Sequence, residues 1–143
     1  MAAKDVLDLQ VSVLDLDVAA DSASSPLEGL GFQRSPYVND HIPAGTVDEQ
    51  KNWSKRLWTR RISGATDVNL HVRRVGSPNE RLALLFRDWF RNHPEAVPAY
   101  SSFKVVLAEV CPDVDVYSGT KDPVVDLVIA VAEEWALSVG WTV

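Results

Sequence analysis

Residues 6–13 alternate strictly between apolar and polar side chains, and this alternation constrains the fold more than any other feature of the sequence. The apolar side carries Leu7, Leu9, Val11 and Val13, and the polar side carries Asp8, Gln10 and Ser12. A period of two is typical of a β-strand that buries one face. A carboxylate two positions from another polar group on such a strand can form half of a metal site, so the segment is either a catalytic strand, the remains of one, or a solvent-facing sheet edge.

A helix and a second strand are predicted next. Residues 17–30 are predicted to be helical, with Asp17 as the N-cap and Gly31 just past the end. The segment "GFQRSPYV" suits a strand, and Pro36 places that strand at an edge or a bulge because proline cannot donate to the ladder.

A hairpin follows, formed by "WSKRLWTRRI" and "DVNLHVRRV" around the turn "SGAT". Asn69 and His71 share the polar side of the second strand. We expect them to meet Asp8 and Gln10 across the sheet.

Three helices complete the pattern. Ser77 and Glu80 form a predicted capping box at the start of the first, residues 95–110 form the second, and Asp122 is predicted to cap the last after the connector "CPDVDVYSGTKDP". The order predicts an α+β fold, in which a small mixed or antiparallel sheet is packed with helices and the C-terminal half is all helical. At 143 residues, the chain is expected to form one domain over residues 1–143.

Basic side chains are concentrated in one segment of an otherwise acidic chain. The net charge is −6, which opposes general binding to nucleic acids. Residues 51–74 nevertheless hold seven basic residues against Asp67 alone. Such a segment either attracts an anion such as phosphate or forms the solvated face of a hairpin, and the sequence leaves both interpretations open.

Several classes of protein are excluded by what the sequence lacks. No apolar run approaches the roughly 20 residues of a membrane-spanning helix, so no membrane partner is expected. The single Cys111 excludes an internal disulfide, and the N-terminus shows no secretion pattern, so we expect a cytoplasmic location. The sequence contains no GxxxxGK(S/T), GxGxxG, HExxH or GxSxG motif, which removes most common enzyme classes.

Several segments, in this order, resemble GrpB-like proteins: "AAKDVLDLQVSV", "VNLHV", "GSPNERLALLFRDWFRNHPEAVPAYSSFK" and "YSGTKDPVV". The resemblance covers nearly the whole chain. It implies a nucleotidyltransferase-like fold with residues 6–13 as a central strand. The chain is also similar to the C-terminal extension attached to dephospho-coenzyme A kinase in actinobacteria, the last enzyme of coenzyme A synthesis.

The chain departs from the nucleotidyltransferase pattern at the residues that matter for chemistry. In those enzymes a Gly-Ser turn binds phosphate, and three acids on two strands hold a pair of divalent metals. Asp8 matches the first acid, but Gln10 replaces the second, and Asn69 and His71 stand where the third is expected. The upstream helix and Gly-Ser turn do not appear, so we expect an N-terminally truncated family domain, either a fragment or a chain whose start was assigned too late.

The resemblance implies a set of candidate site residues. If chemistry remains, Asp8 would be the metal ligand and, together with His71, the catalytic pair. The candidate ligand-binding residues are Lys4, Gln10, Asn69, Arg60, Arg61, Tyr117 and Lys121. Paired arginines suit phosphate through bidentate hydrogen bonds. The alternative is that the carboxylate bonds to a nearby basic group and that the basic residues are solvated.

Three functions follow from the resemblance and stay open. The first is a non-catalytic accessory or regulatory domain whose partner is the kinase domain of a dephospho-coenzyme A kinase and which needs no cofactor. The second is a nucleotidyl or phosphoryl transferase that uses Mg²⁺. The third is a binding module for a nucleotide or another phosphorylated small molecule. A truncated domain would also expose apolar surface that allows a homodimer.

Overall fold

The computed structural model describes residues 6–111 and 113–143, which form an α+β fold of four strands and four α-helices. The strands are β1 (Val6–Val13), β2 (Gln33–Arg34), β3 (Lys55–Arg60) and β4 (Asp67–Arg74). The helices are α1 (Leu16–Gly29), α2 (Pro78–Asn92), α3 (Val97–Val110) and α4 (Val114–Val139). The fold class is confirmed, including the helical C-terminal half.

The sheet is mixed, with the strand order β1-β4-β3-β2. The predicted hairpin is confirmed as the antiparallel pair of β3 and β4, and β1 runs parallel to β4. The prediction that residues 6–13 form a central strand is wrong. In the described part of the sheet, β4 already pairs with β3 on its other side, so β1 lies at an edge.

The sheet belongs to a compact unit of residues 6–42 and 47–80. Its core consists of Ala20, Phe32, Trp58, Val68 and Val72. Helix α1 packs on β2, β3 and β4. The apolar side of β1 is therefore left half exposed, at 49% for Leu7, 43% for Leu9 and 46% for Val11. We call these three residues the apolar row.

Two local predictions in this unit are corrected. The N-cap of α1 is Asp15, whose carboxylate accepts hydrogen bonds from the N–H groups of Asp17 and Val18 at 2.9 Å each. Asp17 is therefore inside the first turn, and the helix begins one residue earlier than predicted. Strand β2 is only two residues long, ending before Pro36, but its edge position is as predicted.

A second compact unit comprises residues 43–46 and 81–143. Its core is formed by Leu85, Ala132 and Ala136, flanked by Leu82, Trp89, Trp135 and Trp141. The predicted start of the last helix at Asp122 is wrong, because α4 begins at Val114 and continues through Pro123. Proline removes one backbone donor, and the long helix tolerates that single loss. The expected connector, including "YSGTK", is thus helical from residue 114.

The start of α2 differs in detail from the predicted capping box. The helix does begin at Pro78, but the Glu80 carboxylate accepts a hydrogen bond from the Gly76 N–H at 2.6 Å, one residue before Ser77. The Ser77 hydroxyl donates to the Arg74 carbonyl at 2.6 Å. In the described part of the chain, no helix combines the length and the apolar character needed to cross a membrane.

Candidate functional site

The structure brings the predicted catalytic pair together at the β1–β4 edge of the sheet. Asp8 pairs with Asn69 in the parallel register, and Asn69 Nδ2 donates to Asp8 Oδ1 at 2.8 Å. His71 Nε2 lies 3.6 Å from the same oxygen, and Arg61 Nη2 donates to Asn69 Oδ1 at 2.6 Å. We call Asp8, Asn69, His71 and Arg61 the Asp8 row. Its carboxylate is at the surface, with a side chain that is 68% exposed.

The His71 side chain is more buried than that of Asp8 and is only 19% exposed. Its Nδ1 is buried and has no hydrogen-bond partner among the described residues. A histidine that shuttles protons is usually oriented through its second nitrogen. That orienting bond is absent from the described residues, so the ring is positioned by packing and by the Nε2 contact with Asp8.

A second polar cluster lies on the same face of the sheet and is far more enclosed. The carboxylate of Asp40 accepts hydrogen bonds from Lys55 Nζ at 2.6 Å, Arg73 Nε at 2.8 Å and Asn79 Nδ2 at 2.9 Å. Arg73 Nη1 also donates to Gln10 Oε1. We call these five residues the Asp40 cluster. Its ionic side chains are 10–18% exposed, so this charge network is largely buried.

The charges of the Asp40 cluster are strongly coupled. Burial opposes ionisation of Asp40, but the hydrogen bond and charge of Arg73, together with Lys55, hold the pKa of that carboxyl well below its usual range. A buried carboxylate with this many donors is a stabilised anion. The cluster therefore fixes the loop around residue 40 to β3 and β4.

The residues at the expected metal positions do not fit a divalent cation. Magnesium prefers carboxylate and water oxygens in a nearly octahedral arrangement. At the second acid position, Gln10 is neutral and its Oε1 is occupied by the Arg73 guanidinium, whose positive charge opposes a cation. At the third, the chain offers Asn69 and His71. Within the described ranges, no group of three His, Cys, Asp or Glu side chains has the geometry to hold a metal ion.

The two arginines at the end of β3 do not act as a pair. Arg60 lies over the Phe32 ring, with its guanidinium carbon 5.2 Å from the ring centroid. Arg61 instead donates to the Val68 carbonyl at 2.9 Å and to Asn69, and its Nε lies 3.3 Å from Asp67. Arg60 is the last residue of β3 and Arg61 follows the strand, and the two guanidinium groups take different partners.

The remaining predicted ligand-binding residues are not in the Asp8 row. Tyr117 and Lys121 lie on α4, within the helical unit. Burial raises the pKa of the Tyr117 hydroxyl above its ordinary value of 10.0. Lys4 lies outside the described residues.

Arg73, Lys55 and Asp40 are the site residues that sequence reasoning missed. The signal for Arg73 was present, because it alternates with Asn69 and His71 on the polar side of β4. Nothing in the sequence around Asp40 predicted its role, because it comes from a long loop and reaches Arg73 only through the tertiary fold.

Comparison with known proteins finds a matching family model and several similar sequences. The family model for "GrpB protein" matches residues 1–130. The chain is 33% identical over 150 residues to a dephospho-CoA kinase of Mycolicibacterium paratuberculosis, covering 98% of this chain and 37% of that protein. It is 31% identical over 149 residues to the dephospho-CoA kinase of Mycobacterium leprae, covering 97% and 36%. The chain therefore spans little more than a third of the length of these kinases.

A solved structure supports the fold. The crystal structure of the conserved protein GrpB from Enterococcus faecalis matches with a TM-score of 0.66 and 23% sequence identity. The match covers 93% of this chain and 73% of that chain. At this level of identity the likeness establishes the fold alone.

Proposed function

This chain belongs to the GrpB family, and from that premise we propose that it is a non-catalytic accessory domain of a dephospho-CoA kinase. Support comes from the alignment of 98% of this chain with part of such a kinase. Phosphoryl transfer from ATP to dephospho-coenzyme A would be the task of the rest of the protein, because this chain has no GxxxxGK(S/T) phosphate loop. A cytoplasmic setting is part of the proposal.

The observation that carries the non-catalytic role is the contact between Gln10 and Arg73. In a two-metal transferase, carboxylates at these strand positions neutralise the cations that stabilise the transition state. Here one of those positions holds an amide that is bonded to a guanidinium. Asp8 is left as a single surface carboxylate, and one carboxylate gives a divalent cation too little negative charge for tight binding.

The apolar row on β1 supports the accessory role. Leu7, Leu9 and Val11 are 43–49% exposed along an edge strand. A continuous apolar stripe on a sheet edge is unfavourable in water unless another surface covers it. Under this proposal the kinase portion of the longer protein covers the row.

A deletion experiment on the Mycolicibacterium paratuberculosis kinase tests the proposal. The segment that aligns with this chain is removed, and phosphoryl transfer to dephospho-coenzyme A and the thermal midpoint are measured. We expect the shortened kinase to retain turnover and to unfold at a lower temperature, and this chain added separately to restore the midpoint. Loss of turnover in a shortened kinase that circular dichroism shows to be folded would contradict the non-catalytic role. An unchanged midpoint would contradict the accessory role.

A magnesium-dependent transferase is the second candidate, and the approach of His71 Nε2 to Asp8 at 3.6 Å is the observation that favours it. It predicts that Asp8→Asn abolishes an activity that Arg60→Ala merely lowers. Failure to find turnover with any nucleotide in a protein that carries the complete family domain would remove this candidate.

A further inference from the structure

A pocket lies beyond the carboxyl ends of β1 and β4, separate from the Asp8 row. The two strands run parallel with Val13 opposite Arg74, so both strands end at the same edge of the sheet. The pocket there has a volume of about 300 Å³ and is lined largely by polar and charged side chains. In open sheets with parallel strands, this edge is where ligands commonly bind. We call it the carboxyl-edge pocket.

Three basic side chains line the carboxyl-edge pocket: Lys51, Arg56 and Arg74. The two carboxylates in its wall, Asp15 and Asp17, are already engaged. Asp15 caps the first N–H groups of α1, and Asp17 accepts a hydrogen bond from Arg56 Nη2. Because two N–H groups of the first turn are already capped, an anion would be held mainly by side chains.

Arg74 is the side chain with the most capacity to bind a ligand. It is exposed, and its guanidinium makes no hydrogen bond or ion pair with any residue in the described part of the chain. Arg56 adds positive charge to the wall rather than a free donor. Its Nη1 donates to the Lys55 carbonyl at 2.8 Å, its Nη2 donates to Asp17, and its Nε is buried.

We propose that the carboxyl-edge pocket binds the phosphate group of a small molecule, with Arg74 as the main contact. Arg56 contributes positive charge from the wall, and Lys51, which is paired with Glu49 at 2.6 Å, contributes at the rim. The Arg74 guanidinium provides the planar pair of donors that matches phosphate oxygens. A volume of about 300 Å³ is at the lower limit for small-molecule sites, which suits a monophosphate rather than a dinucleotide. This site goes beyond the accessory role and does not depend on it.

An NMR titration of the whole chain tests the site, with inorganic phosphate and adenosine 5′-monophosphate as separate probes in the absence of magnesium. We expect saturable shifts of the backbone amides of residues 54–56 and 74 with at least one probe. The affinity should fall as NaCl is added, because the contacts are ionic. Response to the nucleotide alone would identify a phosphate monoester as the ligand, and response to both would identify the phosphate group as sufficient.

Arg74→Ala is the decisive variant, because Arg74 is exposed and the chain should fold without it. Loss of one charged contact should weaken binding by about tenfold. Arg91→Ala is the matched control, since it removes the same charge from an exposed position on α2 and should leave binding unchanged. The proposal is overturned if neither probe produces saturable shifts, if Arg74→Ala binds as well as the unmodified chain, or if Arg91→Ala weakens binding equally.

Discussion

The polar face of the sheet carries two carboxylates in contrasting surroundings. Asp40 is 18% exposed and is bonded to Lys55, Arg73 and Asn79, whereas Asp8 is 68% exposed and accepts its hydrogen bond from Asn69. The enclosed Asp40 carboxylate bonds the loop around residue 40 to β3 and β4. The open charge lies at the position where the family resemblance implies chemistry, with His71 Nε2 3.6 Å away.

Arg73 contacts both Asp40 and the β1 position at which a second acid is expected. Its Nε bonds to Asp40 and its Nη1 bonds to Gln10, so one guanidinium reaches from the Asp40 cluster to the second acid position of β1. A carboxylate at position 10 would form a second ion pair with Arg73. In this sheet, the position next to the expected metal site is therefore occupied by a largely buried ion-pair network.

Removal of Asp40 should produce the largest effect. Asp40→Ala leaves Lys55 and Arg73 buried without their carboxylate, and an uncompensated buried charge costs about 3–5 kcal/mol. Urea unfolding, followed by circular dichroism, measures the loss. A loss below about 1 kcal/mol would show that Asp40 contributes no more to stability than an exposed ion pair does.

Acid should weaken the Asp40 cluster in a defined direction. Burial alone would raise the pKa of Asp40, but Arg73 and Lys55 hold it well below its ordinary value of 3.8. Stability from such a group is complete above the unfolded-state pKa and is lost as the pH falls below 3.8 toward the lower folded-state pKa. The free energy of unfolding should therefore fall more steeply with acid in the unmodified chain than in Asp40→Asn. Parallel curves for the two proteins would show that Asp40 is not coupled to its neighbours.

A substitution in the apolar row of β1 allows the effects on binding and on folding to be measured separately. Leu9→Asp changes a half-exposed side chain in the apolar row, so the free energy of unfolding of the chain alone should change by only about 0.5 kcal/mol. Its association with the shortened kinase, measured by calorimetry, should weaken by about tenfold or more, because a charge would enter an apolar contact. Leu137→Asp, at an 84% exposed position on α4, is the matched control. Equal weakening by both variants would argue against the apolar row as the contact.

Asp8 should give the smallest effect on stability. An exposed carboxylate in a surface contact contributes about 0–1 kcal/mol, so Asp8→Ala should shift the urea midpoint only slightly. The comparison with Asp40→Ala is sharpest when both variants are measured in the same buffer. A loss for Asp8→Ala as large as that for Asp40→Ala would show that the open carboxylate also serves the fold.

Local patterns predicted much of the fold, and tertiary contacts account for what they missed. The alternation in residues 6–13 and around Asn69 and His71 gave both strands, and their pairing brought His71 to Asp8. β1 lies at an edge because β4 pairs with β3 on its other side. Local periodicity does not encode this choice of partner strand. Pro123 looked like a helix start because proline favours that position, yet a long apolar helix carries it internally.

The candidate site was harder to predict than the fold. Asn69 and Gln10 were identified from strand alternation, but Arg60 and Arg61 were grouped because they are adjacent in sequence. The strand β3 ends at Arg60, and the structure places Arg60 over Phe32 and Arg61 beside Asn69. The role of Asp40 required a contact 33 residues away with Arg73, which no short motif contains.

The central claim is that the Asp8 row does not bind a catalytic metal, and a magnesium titration tests it most directly. Amide and side-chain NMR signals of Asp8, Asn69 and His71 in the Asp8 row, and of Gln10 beside it, are followed as Mg²⁺ is added, with and without ATP. We predict no saturable, magnesium-dependent shift at these residues. A saturable shift centred on Asp8 that disappears in Asp8→Asn would contradict the account and restore the transferase interpretation.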